Sequence, residues 1–133
     1  MTSELIRQVW QRSRARCEYC HLPSTLHPAP FQIDHIIARQ HGGTSTVDNL
    51  ALACIHCNRF KGPNLASVDH DSGEIVRLFH PRCDAWTEHF IWDGPELKAL
   101  TQIGRVTISL LLINDPEVIA VRKALQEEGV FGV

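Results

Sequence analysis

The chain has no apolar stretch long enough to cross a membrane. Its longest nearly apolar run, Val106 to Ile113, falls well short of the roughly 18–20 residues that a spanning helix requires. It opens with no apolar signal-peptide core: Met1–Arg16 instead mixes Leu5, Ile6, Val9 and Trp10 with four arginines, the pattern of an amphipathic helix. It carries little net charge, since 13 Lys and Arg against 15 Asp and Glu leave −2, which argues against a tight, non-specific binder of polyanions. Internal repeats, low-complexity tracts and linker-like stretches are missing too, so one continuous fold is the simpler expectation for 133 residues. With 44% hydrophobic and 21% charged residues, disorder is excluded, and a soluble, unexported, cytoplasmic protein is expected.

The small net charge hides an asymmetry. Up to Gly62 there are seven basic and four acidic residues, or +3; beyond it there are six basic and eleven acidic, or −5. A polyanion would prefer the front part. The five cysteines are more informative. Four form two C-x-x-C pairs, Cys17-Glu18-Tyr19-Cys20 and Cys54-Ile55-His56-Cys57, with 33 residues between them. Disulfides fit an unexported chain poorly, and a redox C-x-x-C motif accounts for one pair, not two. Two knuckles closing a tetrahedron around one structural Zn²⁺ account for all four thiols, and the long spacer implies an insert between the knuckles. Cys83 has no partner in this pattern and reads as a free or buried thiol, and His56 is a minor alternative ligand.

The predicted elements bracket that insert. Ser3 can cap a helix running to about Arg14. Phe31 to Ile36 alternates as a half-buried strand that ends at an acid–imidazole pair. Gly42 to Thr46 reads as a loop, and the stretch from Leu50 to Lys61 holds the second knuckle and a short helix stopped by Gly62-Pro63. Beyond it, Ile75–Phe79 and His89–Trp92 are candidate strands, Ile103 to Ile113 has helical spacing, and Asp115-Pro116 starts a last helix closed by Gly129. Trp86, Phe90 and Trp92 read as core.

Asp34 and His35 are neighbours at a strand end, so their side chains leave the backbone on opposite sides. Asn58 directly follows the last knuckle cysteine, on the helix that the knuckle starts. Oxygen donors such as Asp34 and the Asn58 amide suit Mg²⁺, Mn²⁺ or a similar ion with open positions.

Taken together, the two knuckles, Ile33-Asp34-His35-Ile36-Ile37, Gly42-Gly43, Asp48-Asn49-Leu50 and Cys54 through Gly62 resemble the HNH endonuclease motif over about residues 16 to 63. The subtype is the ββα-metal (His-Me) finger with a four-cysteine zinc site. The resemblance implies an α+β fold: an HNH core over 1–64 stapled by zinc, and a mixed α/β extension over 65–133 packed against it. It further implies a bacterial, metal-dependent endonuclease hydrolysing phosphodiester bonds in nucleic acid, DNA rather than RNA. His35 would be the general base and Asn49 the middle residue that orients it. Asp34 and Asn58 would hold a catalytic Mg²⁺, Mn²⁺ or Ni²⁺, Asn58 standing where many members have His. Arg39, Arg59 and Lys61 would face the nucleic acid, and His80 and Arg82 are candidates for the same groove. The rival readings are a non-catalytic, zinc-stabilised module that binds nucleic acid or protein, and a redox dithiol protein.

Overall fold

The computed structural model describes residues 1–131. The chain forms two compact units, one of Met1–Leu65 with His80–Cys83, the other of Ala66–Phe79 with the described chain after Cys83.

The first unit opens with helix α1 (Ser3–Arg12), whose Val9 is fully buried. The cap is Thr2 rather than Ser3, with its hydroxyl accepting from Leu5 N at 3.1 Å. The helix ends two residues earlier than the periodicity suggests, because Arg14 and Ala15 both take positive φ (55° and 57°) and turn the chain back into the first knuckle. Strand β1 (Gln32–His35) pairs antiparallel with β2 (Leu50–Ala53), in register Gln32 with Ala53 and His35 with Leu50. Every residue of β2 is buried. A strand covered on both faces loses its polar alternation, which is why Leu-Ala-Leu-Ala carries no strand signature of its own. Arg12 anchors α1 to the start of β2, donating to Val47 O at 2.7 Å and Leu50 O at 2.6 Å. Helix α2 (Ile55–Lys61) follows at once and packs on β1 and β2. The order β1–β2–α2 is the ββα arrangement expected of the core, and the whole is α+β.

The second unit contains two hairpins, β3 (Ala66–Val68) with β4 (Ile75–Arg77) and β5 (Phe90–Asp93) with β6 (Glu96–Ala99). It also contains the short helix α3 (Trp86–His89), α4 (Gln102–Leu110) and α5 (Pro116–Glu127). Asp69, in the β3–β4 turn, accepts two hydrogen bonds from Arg105 of α4 at 3.2 and 3.0 Å. The α5 cap is the expected one: Asp115 accepts from Glu117 N, and Pro116 holds the first turn. Phe90 is buried, with ring centroids 5.3 Å from Phe79 and 5.2 Å from Trp86, and Trp86 lies 6.0 Å from Trp92. These rings form an aromatic cluster of tilted and edge contacts, in which Phe90 is core as expected while Trp86 and Trp92 are half-buried. Buried Arg122 is satisfied by Pro95 O, Ile113 O and Asn114 Oδ1 at 2.7–3.1 Å.

Candidate functional site

The two knuckles bring four buried sulfurs together. The Sγ atoms of Cys17, Cys20, Cys54 and Cys57 all lie within 4.8 Å of one another, and Cys20 Sγ is 3.8 Å from Cys54 Sγ. Four thiolates about 2.3 Å from a tetrahedral Zn²⁺ stand about 3.8 Å apart, so the separation suits a closed structural site. All four cysteines are free of disulfides. Within each knuckle an amide points at a sulfur, Cys20 N at Cys17 Sγ (3.5 Å) and Cys57 N at Cys54 Sγ (3.4 Å), which favours thiolate over thiol. The sulfurs compete for protons: hydrogen bonding to Cys17 and its neighbours, with burial, holds Cys20 and Cys57 well above the ordinary thiol range. The same contacts pull Cys54 down. A divalent cation at the centre removes that conflict by ionising the whole set. The ring of His56 packs on Phe60 at 4.8 Å, outside the sulfur cluster.

The first knuckle is stitched to the hairpin. Glu18 N donates to Leu52 O and Leu52 N to Glu18 Oε2, both at 2.8 Å. Glu18 also pairs with Arg82. Arg82 is pushed down to about 10 by burial and by the charge of Arg12. Tyr19, the chain's single tyrosine, is buried and donates from its hydroxyl to Asp34 Oδ2 at 2.7 Å. Burial and the Asp34 charge hold that phenol above its ordinary range. Tyr19 thus runs from the sulfur cluster to the strand end where the candidate chemistry sits, a link that no local pattern in the sequence reveals.

Asp34 and His35 leave β1 on opposite sides. Asp34 is buried between Tyr19 and Lys61, whose ammonium lies 3.1 Å from Oδ2 and donates to Oδ1 at 3.3 Å. Burial raises Asp34 above the usual carboxylate range, against the opposing effects of Lys61 and Tyr19. Lys61 does not face solvent and phosphates as the resemblance implies; it is 1% exposed, because its last-turn position on α2 points it across the seam at β1. Half-buried His35 shares a 2.8 Å hydrogen bond between Nε2 and Ser45 Oγ, and Arg39 lies beside it. Desolvation, then the Arg39 charge, lowers His35 below the ordinary imidazole value.

Along the same contact of β1 with α2, the Asn58 amide donates to Gln32 Oε1. Gln32 and Asp34 share one face of β1, and Asn58 and Lys61 are one turn apart on α2, so the seam has two rungs, Gln32–Asn58 and Asp34–Lys61. The donor types fit a hard divalent ion: a carboxylate and an amide oxygen on the same seam. The carboxylate is, however, already matched by an ammonium.

Asn49 is a clamp. Its Oδ1 accepts from Ile37 N at 2.9 Å, and its Nδ2 donates to Ile37 O at 3.0 Å and Thr44 O at 2.8 Å. It thereby closes the loop that carries Ser45 back to His35. Gly43 sits inside the clamp with no room for a side chain. An added Cβ would fall 1.6 Å from Ile37 O and 2.9 Å from Asn49 Nδ2, both part of the clamp itself. Gly43→Ala is therefore expected to break it, lowering stability by about 1–3 kcal/mol or more, read as a drop in thermal midpoint. At Gly42 (φ +86°) nothing lies within 4 Å, so Gly42→Ala should cost only its left-handed strain, about 1–2 kcal/mol.

Arg39 and Arg59 are exposed, the latter with its guanidinium 5.4 Å from the Phe60 ring. His41, Gly43, Asn49, His80, Arg82 and Cys83 line a cavity of about 430 Å³, and Cys83 is exposed.

The ββα arrangement carries four buried cysteines positioned to hold a structural zinc, and residues 17–64 match the HNH endonuclease family. The segment is an HNH endonuclease domain with a four-cysteine cluster of Cys17, Cys20, Cys54 and Cys57. No curated protein and no solved structure matches the chain. Among the described residues, no helix is long and apolar enough to cross a membrane.

Proposed function

We propose that the chain is a metal-dependent endonuclease that hydrolyses phosphodiester bonds in nucleic acid, DNA rather than RNA. The observation that carries this reading is the division of labour at the end of β1. Asp34 faces α2 at the Lys61 rung, one turn along from the Asn58 rung, while His35 faces the clamped loop on the other side. His35 is the general base: held neutral by desolvation and by Arg39, its imidazole takes the proton of the attacking water. Asn49 and Ser45 fix where that imidazole stands. Asp34 and the Asn58 amide oxygen are the residues that would hold a divalent ion. Such an ion, when bound, supplies charge stabilisation to the phosphate and its leaving oxygen. Exposed Arg39 and Arg59 meet neighbouring phosphates.

A second reading, a zinc-stabilised module that binds without turnover, draws on one specific observation, the buried Asp34–Lys61 pair. Supercoiled plasmid separates the two. Zinc-loaded protein should nick or linearise it when Mg²⁺, Mn²⁺ or Ni²⁺ is added and leave it intact without them. Retained DNA binding with no cleavage in any of the three metals would establish the module instead.

A further inference from the structure

We infer that Lys61 is the resident counter-ion of the candidate cation site, matching Asp34 until a divalent ion takes the carboxylate and setting how weakly that ion binds. The inference rests on the reading of Asp34 as a cation ligand and adds to it a device that controls occupancy.

The geometry is that of a held charge. The Lys61 ammonium, with a side chain 2% exposed, has four acceptors within 3.4 Å: Asp34 Oδ2 at 3.1 Å and Oδ1 at 3.3 Å, Ile36 O at 3.1 Å and His35 O at 3.4 Å. It has three protons to give. Two of the acceptors are backbone carbonyls, so the ammonium keeps partners when the carboxylate turns elsewhere. Tyr19 holds Oδ2 from the other side at 2.7 Å, so losing Lys61 would not leave the carboxylate unfastened. A lysine that merely filled space would not need its charge here. This one brings a positive charge to the carboxylate that a cation must use, in surroundings where burial strengthens every charge interaction.

Before a cation arrives, Lys61 and Tyr19 hold the Asp34 carboxylate from two sides. Once one arrives, the ammonium repels it, so the free protein holds divalent ions weakly. A substrate phosphate then offsets the repulsion with its own negative charge. Cation and nucleic acid are in this way made to bind together rather than separately.

The test is Mn²⁺ binding to the zinc-loaded full chain without nucleic acid, read from the electron paramagnetic resonance of free Mn²⁺. Lys61→Met should bind about tenfold or more tightly than wild type, because a like charge has gone from contact distance. Lys61→Arg, which keeps the charge, should stay close to wild type, and Asp34→Asn should weaken binding in both backgrounds. Zinc content and the thermal midpoint of each variant report whether it folds. Equal or weaker Mn²⁺ affinity in folded Lys61→Met overturns the counter-ion role while leaving the cation site standing. Binding indifferent to Asp34→Asn overturns both. Wild-type protein gives an independent readout. The ¹⁵N resonance of the Lys61 ammonium should move on saturation with Mg²⁺ and stay still in Asp34→Asn, and an unmoved wild-type resonance rejects the inference even if Lys61→Met fails to fold.

Discussion

Cys57→Ser is expected to abolish zinc binding and, with it, the fold of the first unit. Cys57 is fully buried on α2, and its Sγ belongs to a cluster in which four sulfurs lie within 4.8 Å of one another. A structural four-thiolate zinc contributes on the order of 10–16 kcal/mol to folding. The apolar core that would have to replace it is small: Val9, Phe31, Ile36, Leu50 and Leu52 are its large buried aliphatic and aromatic members besides Tyr19. A core of that size supplies roughly 3–5 kcal/mol, and two of its elements, β1 and β2, form only a two-stranded sheet. The zinc term therefore exceeds everything else available to this unit. Serine cannot repair the loss, since its neutral hydroxyl is a poor substitute for a thiolate and would sit buried among three sulfurs. Elemental analysis should find no tightly held zinc in the variant. Amide hydrogen exchange should show β1 and β2 losing protection, and a strong chelator should reproduce both effects in wild type. Cys83→Ser, at an exposed thiol outside the cluster, should change neither. A cooperative melt within a few degrees of wild type in Cys57→Ser would remove zinc as the staple.

The parts of this architecture that can be read in advance are those whose signals are local. The spacing of Cys17, Cys20, Cys54 and Cys57 carries the sulfur cluster, because each knuckle is a four-residue turn and only the meeting of the two is long-range. Asp115-Pro116 carries the start of α5 for the same reason. Where the structure departs from expectation, the cause is a partner distant in sequence. Lys61 reads as a surface cation following Arg59 and is a buried one because Asp34 lies 27 residues away in sequence but across a single strand–helix seam. Tyr19 carries no local signal within its knuckle, and its hydroxyl meets the same carboxylate 15 residues away. The β2 strand escapes detection because burial on both faces erases its period. The α1 start and end shift by one and two residues for backbone reasons, a cap at Thr2 and two left-handed residues at Arg14 and Ala15, that the apolar pattern does not encode.

The other large effect concerns chemistry rather than folding. His35→Ala should lower phosphodiester cleavage by about 10²–10⁴-fold, the range over which a positioned base acts, while zinc content, thermal midpoint and DNA affinity stay near wild type. His35 is half-buried and its side-chain partners are Ser45 and Arg39, both loop residues, so truncation opens no core cavity and orphans no buried group. Its backbone, in contrast, is part of the β1–β2 ladder and is untouched by the substitution. The pH profile supplies an independent check on the same residue. A general base works in its neutral form, and desolvation with the Arg39 charge lowers the His35 value, so the neutral form dominates at lower pH than for an ordinary histidine. Wild-type cleavage should accordingly rise with pH along a limb whose midpoint lies below the usual value of about 6.5. Arg39→Ala removes the largest charge among the causes and should move that midpoint to higher pH, an effect distinct from any loss of phosphate binding, which would appear in KM and in salt dependence. Equal cleavage by wild type and His35→Ala across the pH range would take the imidazole out of the mechanism, and the hydroxide would then have to be generated by some other group at the end of β1.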